Sequence, residues 1–235
     1  MELPKSIINL SPVEKQKLNI YLNQFVTEKR SQLMERILKN RTRHISVVLE
    51  NIFQPHNASA VIRSCESFGI MDLHVIEERN RFQENSDVTI GTSKWVNTIR
   101  YDYENKKNTS VCLDMLKADG YTIVAATLTG ESIALRDLEI NNKTAVCFGN
   151  EETGLSDTVH DTADVHMHIP MYGFVQSLNL SVSVAIVLYE LTQKIRNEKI
   201  DWSLIEKEKT DIKLNWLLNT IPKPEKHLRT FLNQM

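Results

Sequence analysis

Three short stretches of this chain carry polar groups of the kind that hold a ligand in place. In I-P-M-Y-G-F-V-Q-S-L-N, residues 169–179, Pro170 and Gly173 fix an irregular turn. Ser177 and Asn179 then present a hydroxyl and a carboxamide where a bound molecule would meet backbone and side-chain donors together. In Q-P-H-N-A-S-A-V-I-R-S-C, residues 54–65, Asn57 follows Pro55-His56 and reads as the N-cap of a helix whose start faces a phosphate or ribose, with Arg63 reaching from the next turn. Were both helical, their six-residue separation would set them about 240° apart, on different faces. In F-G-N-E-E-T-G-L, residues 148–155, Gly149 and Gly154 permit close backbone approach to a ligand, and Glu151 is placed to accept hydrogen bonds from loop N–H groups or from the first stretch. Each stretch has a plainer reading beside this one: Asn57 an ordinary cap and Arg63 a surface cation, Asn179 only the N-cap of the next helix and Ser177 a loop hydroxyl.

Other chemistries fit less well. Glu151 and Glu152 are neighbours on one loop, so their carboxylates diverge and cannot flank a glycosidic bond. His166 and His168 form H-x-H on a strand, but neither His160 nor any other residue is indicated as a converging third ligand, so no metal is expected. No G-x-G-x-x-G follows the first strand, which removes the phosphate cradle of a dinucleotide-dependent oxidoreductase.

The elements that must position these stretches alternate. β-type runs at 45–50, 72–76, 98–101, 122–127, 144–149 and 165–169 are interleaved with helices at 58–68, ending at Gly69, and 108–119, ending at Gly120. A long apolar segment from Leu178 to Leu191 follows, whose apolar residues occupy nearly every face and so require burial all round, by its own sheet and by a second subunit. This βα alternation predicts an α/β fold, a mostly parallel sheet with helices on both faces, and ligand loops at the C-terminal ends of the strands, where all three stretches fall. Residues 12–40 read as one helix with Leu18, Tyr21, Leu22, Phe25 and Val26 at helical spacing, and Pro222 and Pro224 split the tail into two short helices. The chain therefore divides into an N-terminal helical extension (1–44), a central α/β domain (45–197) and a C-terminal helical tail (198–235).

The three stretches, in this order, resemble the signature motifs of the SpoU/TrmH family of RNA ribose 2′-O-methyltransferases, the third of which reads I-P-M-x-G-x-x-x-S-L-N-x-S-V-A. The resemblance runs from about residue 28 to about residue 195 and is nearest to the tRNA guanosine methyltransferase branch. It implies a deep trefoil knot around residues 145–190, S-adenosylmethionine as cofactor, and a homodimer built on the 179–195 helix. It also implies catalytic roles for Asn57, Arg63, Glu151, Ser177 and Asn179, and adenine held by backbone groups near Leu128, Gly149, Ile169, Met171 and Leu178. The family's arginine has been assigned as a base. Arginine stays protonated far above neutral pH, so a clamp on phosphate that steadies a developing alkoxide is the easier role for Arg63. The implied substrate is structured RNA, a D-loop guanosine of tRNA first and ribosomal RNA second, with a silent RNA-binding protein of the same fold as the non-enzymatic alternative.

Composition is compatible with this. A chain of 235 residues, 41% of them hydrophobic, can bury one good core. The net charge of −2 offers RNA no global attraction, but Lys29, Arg30, Arg36, Lys39, Arg41 and Arg43 face only Glu28 and Glu35 between residues 28 and 44, a phosphate track or else a solvated helix face. Cys65, Cys112 and Cys147 are scattered among apolar residues, as buried reduced thiols are. The N-terminus shows no leader pattern and no run is long enough to span a bilayer, so a cytoplasmic protein without membrane contact is expected.

Overall fold

The computed structural model describes residues 3–83, 89, 91–104, 107–128 and 130–234, and they form two compact units. The larger, Thr42–Trp202, is a sheet of seven strands among the described residues: β1 (Ile45–Glu50), β2 (Asp72–Ile76), β3 (Asn97–Tyr101), β4 (Thr122–Ala126), the two-residue β5 (Ile133–Ala134), β6 (Thr144–Phe148) and β7 (Val165–His168). Their order across the sheet is β3-β2-β1-β6-β4-β7-β5, and every ladder is parallel. β5 carried no sequence signal, because two residues cannot display a period.

Both faces are covered, which is why the strands read as continuous apolar runs. Toward one face, Val47, Leu49, Leu73, Val75, Val146 and Phe148 pack with Val61, Ile62 and Cys65 of α4 (Pro55–Phe68) and with Val184, Val187, Leu188, Leu191 and Ile195 of α7 (Leu180–Asn197). Toward the other, Val48, Ile123, Ala125, Ala145 and Cys147 meet Cys112, Leu113 and Leu116 of α5 (Asn108–Ala118) and Val159 of the short α6 (Asp157–Thr162). Alternate strand residues thus serve opposite layers, as the pleat requires. Burial pushes the Cys112 thiol up to about 12 and the Cys147 thiol well above its ordinary value, so both stay protonated and unreactive at neutral pH.

Within this chain α7 is covered on one side only, and the burial expected from a second subunit is outside what one chain shows. Its inward stripe is buried, but Val182, Ile186 and Tyr189 lie on an open side. With Ala60, Ser64 and Phe68 of α4 they line an apolar groove. One sheet can cover only one face of a helix.

The smaller unit joins Met1–Arg41 to Ser203–Met235. The single helix expected over 12–40 is two, α2 (Pro12–Asn23) and α3 (Glu28–Leu38), after a short α1 (Lys5–Ile8). The break has a local cause: the Thr27 side chain accepts a hydrogen bond from the Arg30 N–H and starts a new helix. Ser11 and Glu14 form a capping box at the start of α2. α2 packs on α8 (Glu206–Leu218), with Leu18 and Leu22 fully buried and Lys15 paired to Asp211 at 2.8 Å; α9 (Pro224–Leu232) completes the unit.

Candidate active site

The C-terminal ends of β4, β6 and β7 surround a cavity of about 500 Å³. Leu128 stands just beyond β4, Gly149 directly after β6, and Ile169 and Met171 after β7, with Leu178 before α7; all five line the cavity. Asn57, Glu151, Ser177 and Asn179 line it too.

Three of these polar residues are joined in one network. The Asn57 carboxamide N–H donates to Glu151 Oε1 at 2.7 Å, and Asn57 Oδ1 accepts from Asn179 Nδ2 at 3.1 Å. The second Glu151 oxygen accepts from the Phe53 backbone N–H at 3.4 Å. Asn179 also caps α7, its Oδ1 accepting from the Ser181 N–H at 2.9 Å and the Ser181 hydroxyl at 2.7 Å. Cap and network residue are therefore one side chain, each end of the carboxamide serving a different partner. A carboxylate held by two donors is fixed in direction, which suits positioning better than proton transfer.

Asn57 is not the N-cap of its helix. α4 begins at Pro55 with Gln54 as cap, because proline's fixed φ suits the first helical position and its missing N–H is not needed there. Asn57 is the third residue of the first turn, 5% exposed, with its carboxamide reaching Glu151 and Asn179. Arg63, six residues on in the same helix, is exposed and outside the cavity lining, as the helical angle requires.

The Gly149–Gly154 turn closes on itself by paired backbone hydrogen bonds between Asn150 and Gly154. A Cβ at Gly149 would collide with the Gly154 backbone, and Gly154 itself has φ +71°. Both glycines are thus required by geometry. Gln54, Thr127, Asn150 and Ser183, none of them singled out in the sequence, also line the cavity, as does His168. Asn150 had a visible signal, its place inside the G-N-E-E-T-G turn. His168 was read only as a strand imidazole; its Nδ1 is 2.9 Å from the Ser132 hydroxyl. His160 and His166 stack with ring centroids 5.4 Å apart, and no group of three potential metal ligands occurs among the described residues.

The basic track divides. Lys29, Arg36 and Lys39 are exposed and Arg30 is half-buried. Arg41 is 1% exposed, its guanidinium 5.5 Å from the centre of the Trp216 ring, so it is not available to a phosphate. Arg43 pairs with Asp72 at 2.9 Å. Arg41 is thereby removed from any solvated phosphate surface, while Arg43, half-buried, has its charge met by Asp72 within the fold.

The sequence profile described as the SpoU rRNA Methylase family matches residues 44–189. The chain belongs to the SpoU rRNA methylase family. A tRNA (guanosine(18)-2'-O)-methyltransferase of Borreliella burgdorferi is 47% identical over 195 residues, 83% of this chain and 87% of the relative. The crystal structure of an Aquifex aeolicus TrmH/SpoU tRNA modifying enzyme superposes with a TM-score of 0.74 at 31% identity, covering 83% of this SpoU family member and 98% of that chain. The SpoU methyltransferase AviRb of Streptomyces viridochromogenes, crystallised in complex with the cofactor AdoMet, shares the fold with a TM-score of 0.59 at 21% identity, over 70% of this chain and 65% of its own. No described helix is long and apolar enough to cross a membrane.

Proposed function

We propose that this protein transfers a methyl group from S-adenosylmethionine to a ribose 2′-hydroxyl of tRNA, at the guanosine at position 18 that its bacterial relatives' names specify. The observation that carries the reading is the Asn57–Glu151–Asn179 network in the wall of a cavity lined by all three motifs, in a chain 47% identical to such an enzyme.

The cavity fits the cofactor. Its volume lies within the range of small-molecule sites, and its wall combines apolar side chains with irregular backbone after three strands. Backbone groups near Leu128, Gly149, Ile169, Met171 and Leu178 would hold the adenosine half. The cofactor supplies an already activated methyl group; the chain's task is to orient the acceptor oxygen in line and to ease loss of its proton. Glu151 holds Asn57, Asn57 holds Asn179, and Asn179 fixes the start of α7 and with it the Ser177 loop. Arg63, outside the cavity, acts on the RNA side as a phosphate clamp that steadies the developing alkoxide. Lys29, Arg30, Arg36 and Lys39 supply further phosphate contacts. The enzyme acts as a homodimer, the apolar groove of Phe68, Val182, Ile186 and Tyr189 being the face that a second copy covers, with the chain around 145–190 following the family's knotted path in a cytoplasmic protein.

Mapping ribose methylation in tRNA and ribosomal RNA, from cells with and without this gene product, tests the reading. Loss of one methyl at tRNA position 18 is the expected result. A lost methyl in ribosomal RNA would move the substrate, and no change in either would remove the proposal.

A further inference from the structure

Beyond the network lining the cavity lies a second set of cross-segment bonds, centred on Asn51. This residue, directly after β1, holds φ 55°, a left-handed conformation that asparagine tolerates better than other non-glycine residues. Its N–H, its carbonyl and its Oδ1 all bond to other segments. Its N–H donates to the Ile76 carbonyl at 2.9 Å, and its Oδ1 accepts from the backbone N–H groups of Glu78 at 2.9 Å and Arg79 at 2.8 Å. Its carbonyl accepts from Asn80 Nδ2 at 2.9 Å and from Asn150 Nδ2 at 2.8 Å. Asn150 in turn accepts at Oδ1 from the N–H groups of Glu152 at 2.9 Å and Thr153 at 3.2 Å. Glu151, whose carboxylate anchors Asn57, therefore sits in a turn whose shape is set by Asn150, and Asn150 is hung from Asn51.

We infer that Asn51 and Asn150 form a brace that sets the position of the Glu151 carboxylate from the segment after β2, making both positioning residues for methyl transfer. The inference rests on the proposed methyltransferase reading. The left-handed backbone turns the Asn51 carbonyl toward the Gly149–Gly154 turn, while the side chain reaches residues 78–79, so one residue ties three segments. Misplacing a held carboxylate by a fraction of an ångström affects orientation of the reacting groups more than it affects cofactor affinity.

Two variants separate the two arms. Asn51→Gly keeps the left-handed backbone and the carbonyl acceptor but deletes the bonds to residues 78–79. Asn150→Asp keeps Oδ1 as acceptor for residues 152–153 but deletes the donor to Asn51. With S-adenosylmethionine and a tRNA transcript, each should lower kcat by roughly tenfold, equivalent to one lost hydrogen bond's worth of orientation, while cofactor Kd by calorimetry stays within about threefold. The double variant should be little worse than either single one, because both break the same brace. Asn51→Asp, which retains the acceptor, should recover most of the turnover. Wild-type kcat in both single variants, or a loss that only follows the folded fraction by near-UV circular dichroism, would overturn the brace. Wild-type protein that transfers no methyl at all would instead overturn the methyltransferase reading.

Discussion

The two ends of the central sheet use the same kinds of side chain to opposite effect. At the N-terminal end, Asp72 is met by Arg43 at 2.9 Å and by Asn97 at 3.0 Å, the Ser46 hydroxyl donates to the Asp72 carbonyl, and His44 Nε2 lies 2.8 Å from the Ile140 carbonyl. These groups are paired within the fold, with Ser46, Asp72 and His44 buried. At the C-terminal end, Asn57, Glu151 and Asn179 also bond to one another, but they do so around an open cavity. Parallel strands lead into loops at that end, and loops can be shaped around a ligand without disturbing the ladders. A polar cluster is thus a site only where the fold leaves room beside it.

The largest effects should follow substitutions at the open end. Arg63→Ala is expected to abolish methyl transfer while leaving cofactor affinity within a few-fold, because Arg63 lies outside the cavity. Asn179→Ala is expected to remove turnover and weaken cofactor binding together, since it unhooks Asn57 and uncaps α7 at once. Activity assays with calorimetry separate the two, and equal cofactor affinities in both variants would break the division between RNA side and cofactor side.

At the closed end the effect should fall on stability instead. Asp72→Ala leaves Arg43 and Asn97 without their carboxylate and is expected to cost roughly 1–3 kcal/mol in urea unfolding, with kcat and KM unchanged. A kcat loss in that variant would deny the contrast between the ends.

A smaller effect concerns RNA. Replacing Lys29, Arg36 and Lys39 by alanine should reduce the magnitude of the slope of log K against log salt by up to about two units for single-stranded phosphates, while cofactor binding stays nearly indifferent to salt. An unchanged slope would return the α3 cations to a merely solvated face.

The smallest is a pH effect at the closed end. Burial lowers the pKa of His74, opposed by the charges of Asp72 and Asp119. The unfolded chain therefore binds the proton more readily, so the stability held by neutral His74 is present above about pH 6.5 and is lost as the pH falls toward the depressed folded value. Asp72→Ala removes one opposing charge and should steepen that acid loss, measurable as a larger drop in Tm between pH 7 and 5.5.

The layered α/β order and the six longer strands were legible because apolar runs and glycine stops recur along the chain. Other features were not. The break at Thr27 depends on one cap competing with a continuous helical pattern, and spacing does not decide such a contest. The position of Asn57 within its helix turned on Pro55 taking the first helical place, although the motif itself was visible. The basic run looked uniform in sequence, yet Arg41 lies against Trp216 and Arg43 against Asp72, partners 175 and 29 residues away that no local reading supplies. Asn51 gave no signal, since a left-handed residue is defined by its backbone rather than by its type.

The most direct test of methyl transfer to ribose uses a tRNA carrying a single 2′-deoxyguanosine at position 18. The remaining phosphates are untouched, so it should bind the protein with little loss, yet accept no labelled methyl group from S-adenosylmethionine, because the nucleophile is gone. Methylation of that deoxy substrate at the same rate as the ribose form would contradict the account and place the methyl group on a base.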